Sequence, residues 1–178
     1  MPILLQSGPE TNVYQSALSP CNAGFLLLTG VAYFVFLRRL EAACVPKFVE
    51  FHVSTAGAGT QVAEVGLFTS LAAPNKAAQS LTKIVSTGTV DALTSTGVKR
   101  NTSAFATSAP AGAYLWAGIR TAMTTTQPTI WGLGVDMAQG QILSLAAAGV
   151  LTAAGPWTGG IIAAATGMSC PDLRACLI

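Results

Sequence analysis

Two apolar segments separated by a threonine-rich connection dominate this sequence: residues 113–120 read AYLWAGIR, and residues 130–137 read IWGLGVDM. In the first segment, one face carries Leu115, Ala117 and Ile119, and the other face carries Tyr114, Trp116 and Arg120. In the second, Trp131 and the aliphatic residues alternate with glycines. A period of two is typical of β-strands that have two different faces. We therefore predict a hairpin at the middle of a β-sandwich, with Trp116 and Trp131 largely buried in the sandwich or at a subunit contact.

The same alternation recurs on the N-terminal side of these segments. Residues 45–53 separate Val49 and Phe51 from Glu50 and His52. Further strand-length segments, bounded by Gly and Pro turns, lie at residues 25–28, 32–37, 62–68, 81–86, 103–107, 141–145 and 157–165. The chain thus contains roughly eight to ten short strands and no convincing helical repeat, a pattern typical of an all-β sandwich, jelly roll or barrel.

The length of 178 residues fits one domain. The first residues show no clear period and contain Pro2, Pro9 and Pro20. We therefore predict an extended N-terminal arm over residues 1–22 and a β-sandwich domain over residues 23–178.

The composition is poor in charge. Only 9% of the residues are charged, whereas 51% are hydrophobic, and a usual charged fraction is about 25%. No charge occurs between Asp136 and Asp172, and exposing that whole region would leave a large apolar patch. The pattern favours a homo-oligomer or a subunit of a larger assembly. The sequence leaves the number of subunits open, a trimer included.

Membranes and nucleic acids are poor partners for this sequence. The apolar segment 23–37 is shorter than the ~20 residues of a membrane span and is interrupted by Gly30. Gly149, Gly155 and Gly159 divide the uncharged C-terminal region into pieces of strand length. A formal net charge of +2 is too small and too scattered for a nucleic-acid surface. We predict no membrane span and no nucleic-acid partner.

The inventory of reactive side chains argues against an enzyme. His52 is the one histidine, and we expect it to be a structural residue at the surface or at an interface. No G-x-S-x-G motif accompanies it. Glu50 and Glu64 are the alternative, as a carboxylate pair for glycoside cleavage, although acids on strands are usually solvated or paired with cations. We predict no catalytic residue, no cofactor and no metal site. Asn101 begins an Asn-Thr-Ser glycosylation motif, which has meaning in a eukaryotic host alone.

Four cysteines lie toward the ends of the sequence, at Cys21, Cys44, Cys170 and Cys176. They form two disulfides or none, and the sequence does not decide between these states. The spacing of Cys170 and Cys176 does not match a common zinc knuckle. Free thiols are expected in a bacterial cytosol, and cross-linking of an assembled particle is the alternative.

Three motifs resemble small jelly-roll virion proteins of tailed bacteriophages. They are VPKFVEFHV at residues 45–53, EVGLF at 64–68 and WAGIR at 116–120, and the QPT at 127–129 fits the same pattern. The resemblance covers residues 45–137, about half of the chain. It implies an antiparallel jelly-roll sandwich located in the virion, and it assigns no catalytic residue.

The resemblance and the composition lead to one main hypothesis and one alternative. The main hypothesis is a non-enzymatic virion protein that decorates or connects the capsid, collar or tail through contacts with its own copies and with other virion proteins. The alternative is a receptor- or glycan-binding module of the tail or baseplate, in which the sandwich end that carries residues 121–129 contacts a glycan on the host surface. Exposed aromatic rings near that loop would support the alternative.

Overall fold

The structure is a computed structural model that describes residues 13–15, 23–29, 31–73, 79–133, 142–146, 161–164 and 170–176. These residues form β-strands, turns and loops, and none of them is helical. The strands are β1 (Val13–Gln15), β2 (Ala23–Leu26), β3 (Val31–Arg39), β4 (Phe48–Thr55), β5 (Gln61–Ser70), β6 (Gln79–Ser80), β7 (Thr82–Thr87), β8 (Gly97–Arg100), β9 (Tyr114–Met123), β10 (Thr129–Leu133), β11 (Ile142–Ala146), β12 (Ile161–Ala164), β13 (Cys170–Pro171) and β14 (Arg174–Cys176).

The strands build two antiparallel sheets of seven strands each. In the first sheet the order is β1-β14-β4-β10-β13, with β2 added to β10 and β8 added to β4. In the second sheet the order is β6-β12-β11-β3-β9-β5-β7. The sheets pack face to face, so the predicted all-β sandwich is confirmed.

The core between the sheets follows from the alternation read in the sequence. Successive residues of a strand point to opposite faces, and the apolar set of each strand points inward. These inward residues are Val49, Phe51, Val53, Ile130 and Ala175 in the first sheet, and Tyr33, Val35, Leu37, Ala63, Val65, Leu67, Leu115, Ala117 and Ile119 in the second. Burial of each large side chain stabilises the fold by about 1.5–3 kcal/mol.

A second apolar cluster lies on the other face of the second sheet. Its residues are Ala32, Phe34, Phe68, Leu81 and Trp116, with Phe36 packed against them. Trp116 is fully buried, and its Nε1 donates a hydrogen bond of 3.0 Å to Ser70 Oγ. The predicted burial of Trp116 is therefore confirmed, and the second sheet carries buried apolar side chains on both of its faces.

The predicted central hairpin is wrong, because β9 and β10 lie in different sheets. β9 pairs with β3 and β5, whereas β10 pairs with β2, β4 and β13. The connection 124–128 carries the chain from one sheet to the other. It runs beside the β4–β5 connection, where Ala58 forms an antiparallel bridge with Thr126. The two crossovers thus hold the sheets together at one end of the sandwich.

Gly59 lies in the β4–β5 connection and has a φ of +92°, a conformation that favours glycine. A Cβ atom there would come within 2.2 Å of Thr124 Oγ1 in the neighbouring crossover. Glycine at this position is therefore required both by the backbone conformation and by the close approach of the two connections.

The predicted strand at residues 103–107 does not form. Phe105 makes one backbone hydrogen bond, from its N–H to the carbonyl of Lys47 at 2.8 Å, and the strand in this region is β8 instead. Asn101, which follows β8, is fully buried. The glycosylation motif at Asn101 is therefore closed off by the fold.

The N-terminal part of the chain pairs with its C-terminal part. β1 lies within the predicted arm and pairs with β14, with Val13 opposite Cys176. The other residues of the predicted arm, 1–12 and 16–22, lie outside the described residues. The next two strands also pair with strands from later in the sequence: β2 pairs with β10, and β3 pairs with β9.

In the described part of the chain, no helix is long and apolar enough to cross a membrane.

Candidate functional site

The outer face of the first sheet carries the most distinctive group of exposed side chains. On β4, Val49, Phe51 and Val53 point into the core, so His52 and Glu50 point outward. The imidazole of His52 stacks on the indole of Trp131, with ring centroids 3.7 Å apart and planes inclined by 14°. The two rings belong to neighbouring strands, and each limits the rotation of the other.

Trp131 faces outward because its neighbour Ile130 takes the core position. Ile130 pairs with Val53 and is fully buried, and the alternation of the strand then turns Trp131 to the opposite face. The Trp131 side chain is 39% exposed. The prediction that Trp131 is buried in the sandwich is therefore wrong.

The second face of the indole lies next to a residue without a side chain. β2 pairs with β10 on the side away from β4, and Gly24 is the partner of Trp131. His52 covers one side of the ring, while the backbone of Gly24 adjoins the other. We call the space between the indole and Gly24 the slot. Thr129 limits it at one end, because its Cγ2 would lie 2.9 Å from a Cβ atom on Gly24. The fold thus presents a partly exposed indole that is backed by His52 on one side, and the strand on the other side contributes the exposed Gly24.

Exposed apolar side chains extend the row of His52 and Trp131 in both directions. Val98 on β8 pairs with His52 and is 65% exposed. Leu26 on β2 is also exposed, two residues beyond Gly24. The row therefore crosses four adjacent strands, a width of about 14 Å at a strand spacing of about 4.8 Å.

A charged row lies two residues away from the apolar row. Glu50 has Arg100 of β8 and Arg174 of β14 as its two cross-strand partners. Arg100 Nη1 lies 3.6 Å from Glu50 Oε1, and its guanidinium also lies 4.3 Å from the ring centre of Phe48. These groups are partly exposed, and their planar donors and acceptors suit hydrogen bonds to a polar ligand.

A second ion pair lies on the C-terminal segment that contacts the backbone of Trp131. Arg174 Nη2 lies 3.0 Å from Asp172 Oδ2. The backbone N–H of Asp172 donates a 2.9 Å hydrogen bond to the carbonyl of Trp131. The C-terminal segment is therefore fastened to the backbone of β10 at Trp131, with the Asp172 side chain buried and Arg174 partly exposed.

Cys176 borders the charged row but does not have the properties of a nucleophile. Burial, followed by a hydrogen bond to Glu50 and the negative charge of that carboxylate, raises the pKa of the Cys176 thiol to about 12. The thiolate is the reactive form of cysteine, so Cys176 is kept protonated and unreactive at neutral pH. Cys176 is a free thiol. Cys44 is half-buried, and its backbone forms an antiparallel β-bridge with Ala109. Cys21 lies outside the described residues.

The structure does not bring Glu50 and Glu64 together. Glu50 lies on β4 of the first sheet and Glu64 on β5 of the second, where Glu64 accepts hydrogen bonds from Nε and Nη2 of Arg120. His52 Nδ1 is buried and has no hydrogen-bond partner in the described part of the chain, so no carboxylate orients this ring. Among the described residues, no three His, Cys, Asp or Glu side chains lie close enough to hold a metal ion.

Sequence reasoning recognised His52 as a surface residue but missed its stacking on Trp131. The signal in the sequence is Ile130, the large apolar residue directly before Trp131. Only one of two successive strand residues can point into the core, and Ile130 is the one that does. Gly24 gave no signal of its own in the sequence.

No protein-family model matches the chain, and no curated protein matches its sequence.

Proposed function

We propose that this chain is a non-enzymatic structural protein of a bacteriophage virion. It decorates or connects the capsid, collar or tail, and it is held there by contacts with its own copies and with other virion proteins. We further propose that the sandwich has the connectivity of a jelly roll.

Exposed aliphatic side chains in a charge-poor protein carry this proposal. Leu71, directly after β5, is 97% exposed, and Leu28, between β2 and β3, is 51% exposed. Only 9% of the chain is charged. An isolated soluble domain normally presents more charge, and apolar groups that remain exposed are typical of surfaces covered by a partner. Neighbouring subunits would cover both positions.

The chemistry of the described residues supports a structural role. The single histidine is stacked on an indole, the Cys176 thiol is held protonated, and Glu64 is occupied by Arg120. A catalytic base normally forms a hydrogen bond to a nucleophile and to a group that orients it. His52 Nδ1 has neither among the described residues.

Labelling of purified phage particles tests the proposal. Antibodies raised against the purified chain should bind particles of the phage that encodes it, and electron microscopy should place the label on the shell, collar or tail. A chain that is abundant in infected cells but missing from intact particles would contradict the virion role. Hydrolysis of host polysaccharide by the purified chain would contradict the non-enzymatic role.

Light scattering on the purified chain gives a simpler test of the assembly. An oligomer at micromolar concentration is expected, with a contact that buries at least ~1,000 Å² in total. The variant Leu71→Ser should weaken that contact if Leu71 is covered by a neighbour. Thr94→Ser, at another exposed position, is the matched control.

A further inference from the structure

We propose that the open face of the Trp131 indole binds a pyranose ring of a glycan, with the backbone of Gly24 as the floor of the site. This inference goes beyond the structural role, and it does not depend on the virion assignment. It concerns a surface of the isolated chain and is tested on the isolated chain.

The indole is held in place before any ligand binds. His52 stacks on one ring face at 3.7 Å, and the neighbouring Ile130 is fixed in the core. An aromatic side chain that is already ordered loses little conformational entropy on binding. Trp131 is nevertheless 39% exposed, and its strand partner Gly24 is exposed as well, which is why the site is assigned to the side of the ring toward Gly24.

Gly24 gives the site its shape. Any larger residue at this position would place a side chain beside the indole, because the two residues are directly paired across β2 and β10. Thr129 limits the slot on one side, since its methyl group would meet a Cβ on Gly24 at 2.9 Å. The slot therefore has an aromatic wall, a peptide floor and a hydroxyl-bearing residue at one end.

The surroundings favour a sugar over a protein side chain. The aromatic centre of a protein interface is typically depleted in charged residues, whereas Glu50 and its partly exposed partners Arg100 and Arg174 lie on the same face of the sheet as His52 and Trp131. A pyranose offers C–H groups that pack on an aromatic face and hydroxyls at its rim. Guanidinium and carboxylate groups form strong hydrogen bonds with such hydroxyls.

Binding is measured with neutral oligosaccharides built from glucose, galactose, mannose or N-acetylglucosamine. Saturation-transfer NMR on the wild-type chain should show contact between sugar C–H protons and the protein. At least one saccharide should also protect the exposed tryptophan fluorescence from acrylamide quenching. Trp131→Ala should weaken binding about tenfold or more, while Trp131→Tyr should retain part of it. Thr94→Ser, at an exposed position on the β7–β8 connection, should bind like the wild type.

Each result decides the proposal. If none of the saccharides binds at millimolar concentration, or if Trp131→Ala binds as well as the wild type, the assignment is wrong. A change of oligomeric state in Trp131→Ala without saccharide binding to the wild type would identify this face as a protein contact and would also overturn it. Circular dichroism confirms that each variant is folded, and the wild-type NMR result holds even if Trp131→Ala does not fold.

Discussion

The backbone N–H of Val49 donates a 2.8 Å hydrogen bond to the side-chain Oδ1 of Asn101. The side-chain amide of Asn101 also donates through Nδ2 to the carbonyls of Lys47 at 3.1 Å and Ser103 at 2.7 Å. The Asn101 side chain thereby makes the hydrogen bonds that a neighbouring strand would otherwise make at the start of β4. It also bonds the carbonyl of Ser103 in its own segment.

Replacement of Asn101 should therefore be costly. Asn101→Ala leaves the buried N–H of Val49 without its partner and removes the hydrogen bond to Ser103, while the carbonyl of Lys47 still accepts from Phe105. We expect a loss of about 1–3 kcal/mol in the free energy of unfolding. Thr102→Ala, which removes an exposed hydrogen bond to Thr89, should cost about 1 kcal/mol or less. Urea denaturation of both variants measures the difference. Equal stability of the two would show that Asn101 does not hold the start of β4.

The two described tryptophans should differ in their contribution to stability. Trp116→Ala removes a fully buried ring and its hydrogen bond to Ser70, so we expect a loss of about 3–5 kcal/mol. Trp131→Ala removes an exposed ring and its stacking on His52, which is worth about 0.5–1.5 kcal/mol. Chemical denaturation followed by circular dichroism compares them. A larger loss for Trp131→Ala would contradict the outward orientation of its side chain.

The Glu64–Arg120 ion pair should matter more than the Glu50–Arg100 pair. Both partners of the first are mostly buried, with 13% and 16% of the side chains exposed, so Glu64→Gln leaves a guanidinium without its counter-charge at a cost of about 2–4 kcal/mol. Arg100 is about half exposed, and Arg100→Gln should cost about 1 kcal/mol or less. Melting curves at low and high salt test this. The Arg100 effect should shrink in high salt, whereas the Glu64 effect should persist.

Alkaline pH should destabilise the fold through Cys176. The ordinary pKa of the thiol is 9.0, and in the folded protein it is raised to about 12. The stabilisation is therefore complete below about pH 9 and is lost as the pH rises toward 12, because only the unfolded chain releases this proton readily. Burial also raises the pKa of Tyr33, so part of the decline does not involve Cys176.

Cys176→Ala separates the two contributions. The melting temperature of this variant should fall less steeply between pH 8 and pH 11 than that of the wild type, while the contribution of Tyr33 remains. At pH 8 the wild-type thiol should react slowly with a disulfide reagent, and Glu50→Gln should react faster because the carboxylate helps to raise the pKa. Rapid reaction of folded wild type at pH 8 would contradict a protonated thiol.

The faces of the strands could be predicted from the sequence, and their partners could not. The alternation in residues 114–120 assigns Leu115 and Ile119 to the core and Trp116 to the opposite face, as the structure shows. A period of two says nothing about which strand lies alongside. The threonine-rich connection after β9 looks like a hairpin loop, yet it packs against the β4–β5 crossover and leads into the other sheet.

The candidate site could be predicted in its parts but not as a whole. His52 was expected at the surface or at an interface, and the structure places it half-buried on the outer face of the first sheet. Trp131 was expected to be buried in the sandwich or at a subunit contact. Ile130 occupies that inward position instead. The contact between Trp131, His52 and Gly24 depends on three strands that are distant in sequence, and no local pattern records it.

The pairing of β1 with β14, β2 with β10 and β3 with β9 has a consequence for synthesis of the chain on the ribosome. The first three strands emerge early, and their partners emerge only after residue 114 and, for β14, after residue 174. Pairings between such distant segments form slowly. Until then the apolar strand β3 has an open edge that other chains can join. The nascent protein therefore has its greatest tendency to aggregate midway through translation, and chaperones that bind extended apolar segments should raise its yield.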